Sequence, residues 1–336
     1  MPFFRLAAEA SAAEQRGPRQ RVNKPVDLSF VIPVYNGGGS IGSVVRRIHE
    51  LYRDLAIEVV LVNDGSRDDS EQVCAALVRE HPRSVVFVHL ARNFGEHNAV
   101  LAGLNRACGN YVVVLDDDGQ NPPEEVRRLY AEIRRGNYDV VYGRYRVKHH
   151  SLFRNLGSWF NDRMANLMLH KPRELYLSSF KLLNRFVVGE IVKYRGAFPY
   201  VDGLILRTTR NLGQIDVEHR PGATPSNYDL RRLFLLWLNM FLNFSITPLR
   251  LSALLGVTIS LLSVLLLVAI VLDKLYWDPD LPLGLPTLLV VTVFFGGVQL
   301  VILGMIGEYL GRLFLDHSQS PQYVVRYVRS GDDERG

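Results

Sequence analysis

Three adjacent carboxylates, Asp116-Asp117-Asp118, follow the apolar run Val112-Val113-Val114-Leu115 and precede Gly119-Gln120-Asn121-Pro122-Pro123. On an extended backbone alternate side chains share a face, so Asp116 and Asp118 point one way and Asp117 the other. Two carboxylates side by side in a cleft repel each other unless a cation lies between them. An all-oxygen set suits Mg²⁺ or Mn²⁺, which bind a couple of carboxylates and complete their shell with water and a diphosphate. The plainer alternative is a solvated loop that supplies acid to the next helix, and Pro122-Pro123 do suit a helix start, where a missing N–H costs nothing.

The elements that must position these residues alternate from residue 26 to 143. Apolar strands are expected at 28–33, 57–63, 85–90, 111–116 and 140–142, and helices at 40–52, from about 69, at 96–107 and at 123–135. Repeated β-α units of this kind predict an α/β domain with a mostly parallel sheet and right-handed crossovers. Such sheets bind ligands at the carboxyl ends of their strands. Three features land there: Pro33-Val34-Tyr35-Asn36, Asn63-Asp64-Gly65-Ser66 and the acidic stretch. Gly37-Gly38-Gly39-Ser40-Ile41-Gly42 also satisfies a dinucleotide fingerprint, with Asp64 in range of a ribose. Against a nicotinamide site, Pro33 to Asn36 lengthen a turn that must be tight, and such a site has no use for Asp116 and Asp118.

Beyond the alternating region lies a basic run, Arg144, Arg146, Lys148, His149, His150 and Arg154, leading into an expected helix at 152–169. Most of it reads as a solvated face, yet its start sits where cations would meet phosphates. A strand at 214–219 then leads to Arg220, with Ser226-Asn227-Tyr228 just beyond.

The 336 residues carry 39 basic and 34 acidic side chains, a net charge of +5. The excess is mild and points to no nucleic-acid partner. Cys74 and Cys108 fall in apparent helices without metal or redox spacing, which suits a reducing compartment and structural thiols. Residues 1–25 lack the apolar core of a signal peptide and read as a disordered leader. The last third changes solvent: 251–272 and 281–307 contain no charged residue, and about 20 apolar residues span a bilayer. Arg231, Arg232 and Arg250 precede these spans, and Arg312, Arg326 and Arg329 follow them, which places both termini in the cytoplasm. Residues 229–248, apolar and aromatic, suit a helix in the membrane interface. The expected organisation is a leader (1–25), a catalytic domain (26–228), the interfacial helix, two transmembrane helices (249–315) and a cytoplasmic tail (316–336). In that tail Gln322 to Val328 alternates like a strand and needs a sheet edge, its own or a neighbour's.

With Pro33-Val34-Tyr35-Asn36, Asn63-Asp64-Gly65-Ser66, Asn93-Phe94-Gly95 and the stretch from Asp116 to Glu125 in order, the sequence resembles the family-2 glycosyltransferases of GT-A, Rossmann-like fold. The two C-terminal spans narrow the resemblance to the polyprenyl-phosphate glycosyltransferases, which include dolichol-phosphate mannose synthase and bacterial undecaprenyl-phosphate glucosyl and aminoarabinosyl transferases. The resemblance implies inverting, metal-dependent transfer from a nucleotide-sugar, UDP- before GDP-, to a polyprenyl phosphate at the cytoplasmic membrane face. It implies that Asp64 holds the base, with Pro33 and Tyr35 lining its pocket and Asp117 on the nucleotide side. Asp116, Asp118 and Gln120 would gather Mg²⁺ or Mn²⁺. Arg144, Arg154, Arg220 and Ser226 would face phosphates, with Asp116, Asp118 and Arg220 carrying the catalytic roles. It also implies a homo-oligomer, a tetramer in related proteins, joined partly by exchanged tail strands. Two departures stand out. Gly37 and Gly38 occupy positions where many members are acidic, and Ser178-Ser179-Phe180-Lys181 replaces the Gly-Asp-Phe-Arg of glucosyl-type members, which favours a modified sugar. Other readings are a polysaccharide synthase, which should have more spans and a Trp motif, and a non-catalytic membrane scaffold.

Overall fold

A computed structural model describes residues 25–145, 175–196, 199–220, 285–317 and 321–331, with scattered positions between Leu254 and Tyr276. The leader, the basic run beyond Tyr145 with its expected helix, and the interfacial helix at 229–248 lie outside the described residues, apart from residue 25 at the edge of the leader. The chain falls into two units, one made of Met1–Leu156, Lys171–Ser226 and Pro321–Gly336, the other of Gly157–His170 and Asn227–Ser320.

In the first unit eight strands form one sheet: β1 (Leu28–Val34), β2 (Ile57–Asn63), β3 (Val85–Leu90), β4 (Tyr111–Val114), β5 (Val140–Tyr145), β6 (Lys181–Asn184), β7 (Leu212–Val217) and β8 (Val325–Ser330). Their order is β7-β5-β6-β4-β1-β2-β3-β8. The β-α alternation builds the parallel centre β4-β1-β2-β3, as expected. β6 departs from it by running antiparallel to both β4 and β5, and β8 is antiparallel to β3. The sheet is therefore mixed. An antiparallel β6 enters at the edge where β4 leaves, which brings the residues before β6 to the acidic stretch.

Helices α1 (Gly38–Leu51), α2 (Ser70–Glu80), α3 (Glu96–Arg106) and α4 (Val126–Arg135) follow the parallel strands; α5 (Arg185–Ile191) and α6 (Val201–Thr208) come later. Each buries an apolar stripe. On α1 it is Ile41, Val44, Val45 and Ile48, the i, i+3, i+4, i+7 spacing of one helical face. These meet Phe30, Ile32, Val59 and Leu61, which are fully buried in the sheet. Each such side chain contributes about 1.5–3 kcal/mol over exposure, so the central strands form a rigid floor. Cys74 is buried in α2, whereas Cys108 lies past the end of α3 and is not helical.

The tail strand finds its edge within the same chain. β8 pairs with β3, and the Tyr327 ring stacks on His89 at 5.0 Å and meets Phe87 edge-on at 5.9 Å. The tail thus pairs with the chain's own β3 edge, one of the two edges the sequence left open.

In the second unit α7 (Leu285–His317) runs for 33 residues, about 50 Å at helical rise. Among the described residues it is the one helix long and apolar enough to cross a membrane, with its most apolar window at Phe294–Gly311. The expected first span at 251–272 lies largely outside the described residues; those described within it, from Leu254 to Leu272, are helical, and Leu254, Leu261 and Leu265 are exposed.

Candidate active site

The acidic stretch leaves β4 at the carboxyl edge of the sheet. Leu115 N–H still donates to Val31 C=O at 3.1 Å, so pairing with β1 runs up to the first aspartate, and the chain turns at Asp117 and Asp118. The β4–β6 register pairs Val114 with Lys181. Carried two residues further, it sets Ser179 opposite Asp116, and Ser179 Oγ donates to Asp116 Oδ2 at 2.7 Å. Asn121 Nδ2 donates to the same oxygen at 2.7 Å, and Tyr145 O–H donates to Asn121 Oδ1 at 2.8 Å. Asp118 Oδ1 turns back to accept Gln120 N–H at 2.9 Å. The loop is fastened at two further points. Arg220 N–H donates to Gln120 C=O at 2.9 Å, and Tyr52 O–H to Pro123 C=O at 2.7 Å.

Asp117 faces the other way, towards β1, where its Oδ2 accepts Tyr35 N–H at 3.1 Å. This contact bears on the first of the glycines: a Cβ on Gly37 would lie 2.1 Å from Asp117 Oδ2, so a side chain there would push the carboxylate aside. The dinucleotide reading has no support here, since Gly38, Gly39 and Gly42 are simply residues of α1.

Three adjacent carboxylates at one strand end are electrostatically costly. Burial pushes the Asp116 carboxyl above the usual range, and Asp118 adds to this against the hydrogen bond from Ser179. Burial likewise raises Asp117 to about 6, with Asp118 and Asp116 adding and Tyr35 N–H opposing. A cation would relieve this repulsion. Among the described residues no group of three or more His, Cys, Asp or Glu side chains is arranged to hold a metal. The donors do fit an ion that takes two carboxylates and finds its other ligands in water and a diphosphate. Asp118 is exposed, Gln120 is adjacent, and Asp116 Oδ1 and Asp118 Oδ2 carry no hydrogen bond among the described residues.

The remaining expected site residues divide into three groups. Tyr35 is exposed at the end of β1, with Pro33 partly buried beside it. Asp64 is only 3% exposed, and its two oxygens accept Phe94 N–H at 2.7 Å and Gly95 N–H at 2.9 Å. It thus braces the Asn93-Phe94-Gly95 loop, where Gly95 takes φ 93°, a conformation open to glycine. The arginines meet carboxylates: Arg144 Nε donates to Asp216 Oδ1 at 2.5 Å across β5 and β7, and Arg220 lies 3.6 Å from Glu124. Arg154 and Ser226 lie outside the described residues.

Other polar residues here escaped the sequence reading. Lys181, 3% exposed, pairs with Asp202 at the start of α6, and Tyr142 O–H donates to the same Asp202 oxygen at 3.0 Å. The His97 ring meets Tyr200 edge-on at 4.9 Å. Ser179 and Lys181 stood out in sequence only as departures from a family motif. Asp202 carried no local signal, since its partner lies 21 residues away.

Residues 29–192 match Glycosyl transferase family 2. The undecaprenyl-phosphate 4-deoxy-4-formamido-L-arabinose transferase of Yersinia pestis (strain Pestoides F) is 33% identical over 316 residues, 91% of this chain and 95% of its own. The chain belongs to glycosyl transferase family 2. The same transferase from Yersinia pseudotuberculosis serotype O:3 (strain YPIII) matches equally, at 33% identity over 91% of this chain and 95% of that protein. Among solved structures, glucosyl-3-phosphoglycerate synthase of Mycobacterium tuberculosis with Mn²⁺, UDP-glucose and glycerol 3-phosphate aligns with TM-score 0.50 and 20% identity, covering 70% of this chain and 81% of that one. That likeness shows the shared fold. The transferase thus has an acidic strand-end loop on a rigid mixed sheet.

Proposed function

We propose that the transferase moves a sugar from a nucleotide-sugar, a UDP-sugar before a GDP-sugar, to a polyprenyl phosphate such as undecaprenyl phosphate at the cytoplasmic face of a membrane. The 33% identity to a transferase named for undecaprenyl phosphate carries this reading, because a match over 91% of the chain extends into the apolar C-terminal third. In this reading α7 and the segment at 251–272 span the bilayer, the helix at 229–248 lies in its interface, and both termini are cytoplasmic. A homo-oligomer belongs to the same reading.

Tyr35 and Pro33 line the nucleobase pocket, with Asp64 at its floor through the lone pairs its two N–H contacts leave free. Asp117 lies on the nucleotide side. Asp116, Asp118 and Gln120 would hold Mg²⁺ or Mn²⁺, which when bound offsets the negative charge of the departing diphosphate. Asn121 and Ser179 orient Asp116 for that role. Arg220 is held beside the loop by its backbone while its guanidinium stays loosely paired with Glu124, so a diphosphate can draw it away. Arg144, Arg154 and Ser226 are assigned to phosphate as well.

The acceptor phosphate has a second pKa near 6 and is largely ionised at pH 7, so it needs no strong general base. One of its oxygens bonds to the anomeric carbon as the bond from that carbon to the diphosphate oxygen breaks. The electron pair leaves with the nucleoside diphosphate, and in-line geometry inverts the centre. Incubation with undecaprenyl phosphate and a panel of labelled UDP- and GDP-sugars, with and without EDTA, tests the reading. Label should enter the organic phase with one donor and be lost on chelation; label confined to the aqueous phase with every donor counts against it.

A further inference from the structure

We infer that Tyr145 is a positioning residue for the divalent ion of the acidic loop: acting through Asn121, it aims Asp116 and so sets how tightly the ion is held. The inference rests on the proposed Mg²⁺ or Mn²⁺ at Asp116, Asp118 and Gln120. Tyr145 is the last residue of β5 and pairs in parallel with Val217 of β7. Side chains two apart share a face of a strand, so Tyr145 packs on the same core as Val141, with Gly143 between them. Phe180 covers that gap, since an added Cβ on Gly143 would lie 2.8 Å from its ring. The Tyr145 ring meets Tyr176 edge-on at 5.9 Å and His219 at 4.2 Å. Held in this way, the ring brings its hydroxyl to the loop, where it donates to Asn121 Oδ1 at 2.8 Å.

Asn121 is 0% exposed, so solvent cannot stand in for either partner of its amide. The two ends of an amide are alike in shape, and only their hydrogen-bond partners tell them apart. With Oδ1 taken by the Tyr145 hydroxyl, Nδ2 is the end that faces Asp116, and it donates to Asp116 Oδ2 at 2.7 Å. Ser179 Oγ reaches the same oxygen at 2.7 Å, which leaves Asp116 Oδ1 for the ion. Without the Tyr145 hydroxyl the amide can turn its oxygen on Asp116, where two acceptors repel and the carboxylate loses its aim. The exit of β7 also holds the far side of the site. Arg220, next to the His219 that packs on Tyr145, donates its N–H to Gln120 C=O at 2.9 Å. Two neighbouring strand ends therefore fix Asp116 through a side-chain relay and Gln120 through its backbone. Groups that orient a metal ligand in this way typically carry about 10- to 100-fold of the metal affinity.

The test measures Mn²⁺ binding to the full chain in detergent with saturating UDP, from the loss of the free Mn²⁺ electron paramagnetic resonance signal. Asn121→Ala should raise the Mn²⁺ Kd roughly 10- to 100-fold, and Tyr145→Phe, which keeps the ring, about tenfold, the lower end of that range. The double variant Tyr145→Phe/Asn121→Ala should bind Mn²⁺ no more weakly than Asn121→Ala alone, because the hydroxyl acts only through the amide. A packing role would instead lower the melting temperature in EDTA and leave the Mn²⁺ Kd unchanged. That result in Tyr145→Phe, or losses that simply add in the double variant, overturns the inference. Tyr145→Phe is nearly isosteric and decides the matter by itself if Asn121→Ala does not fold. A wild type that takes up no Mn²⁺ with UDP removes the metal reading and this inference with it, whereas a normal wild type beside an unchanged Tyr145→Phe removes this inference alone. Failure of transfer to the lipid would leave these Kd values as they are.

Discussion

Replacing Lys181 by methionine should be the most damaging single change to the catalytic unit that leaves the acidic loop's own residues in place. The ammonium pairs with Asp202 in a setting where Lys181 is 3% and Asp202 7% exposed. Methionine preserves most of the volume and removes the charge, leaving Asp202 with Tyr142 O–H as its hydrogen-bond donor. Removing one member of a buried pair costs about 3–5 kcal/mol, because the other charge stays desolvated. For a domain of about 200 residues, 1 kcal/mol moves Tm by roughly 2–4 °C, so Lys181→Met should melt about 6–20 °C below wild type. The double variant Lys181→Met/Asp202→Leu removes both charges and should recover much of the loss. Differential scanning fluorimetry in detergent reads all three proteins. A Lys181→Met melting within 2 °C of wild type, or a double variant as unstable as the sum of the single losses, refutes the buried pair as a stabilising unit.

Asp118→Asn should abolish transfer while leaving the fold intact, whereas Asp117→Ala should chiefly raise the KM for the nucleotide-sugar, since it frees Tyr35 N–H at the base side; equal losses of kcat in both would contradict this division, and steady-state kinetics with circular dichroism decides. Arg220→Ala should raise the KM for donor or lipid, or lower kcat, without moving Tm; a lower Tm with unchanged kinetics would make it a packing residue. Truncation after Ser318 removes β8 and its two aromatic contacts, at about 0.5–1.5 kcal/mol each. It should lower Tm and bare the β3 edge to aggregation, and an unchanged melting curve would mean that β8 adds nothing. Burial lowers His97 to about 4, so the folded state keeps it neutral while the unfolded chain takes up a proton below about 6.5. Stability should therefore fall by at most about 3 kcal/mol as pH drops from 6.5 to 4, and His97→Gln should flatten that slope; an equal slope in the variant assigns the loss to other groups.

The parallel centre of the sheet was legible because its strands are continuous apolar runs separated by amphipathic helices, a pattern carried by neighbours in sequence. The acidic loop was legible for a similar reason: Asp116, Asp118, Gln120 and Pro123 are local to one another. What depends on distant pairing was not. Ser179 meets Asp116 only through the antiparallel register of β6, and Lys181 meets Asp202 only once α6 is placed. Asp64 follows β2 at the expected strand end, and its oxygens carry an unexpected burden in bracing the Phe94–Gly95 loop. The glycines after β1 copied a dinucleotide fingerprint, yet three of them are helix residues and only Gly37 closely approaches Asp117. The tail strand was recognisable from its alternation, but alternation cannot say which edge it joins.

Mass spectrometry of the lipid product tests the central claim most directly. Purified transferase, undecaprenyl phosphate, Mg²⁺ and the accepted nucleotide-sugar should yield a lipid heavier by one glycosyl residue, with a matching amount of nucleoside diphosphate released. The sugar should be cleaved from the phosphate by mild acid and carry the anomeric configuration opposite to that of the donor. Nucleoside diphosphate release with an unmodified lipid, or the sugar recovered on any other acceptor, would contradict the account.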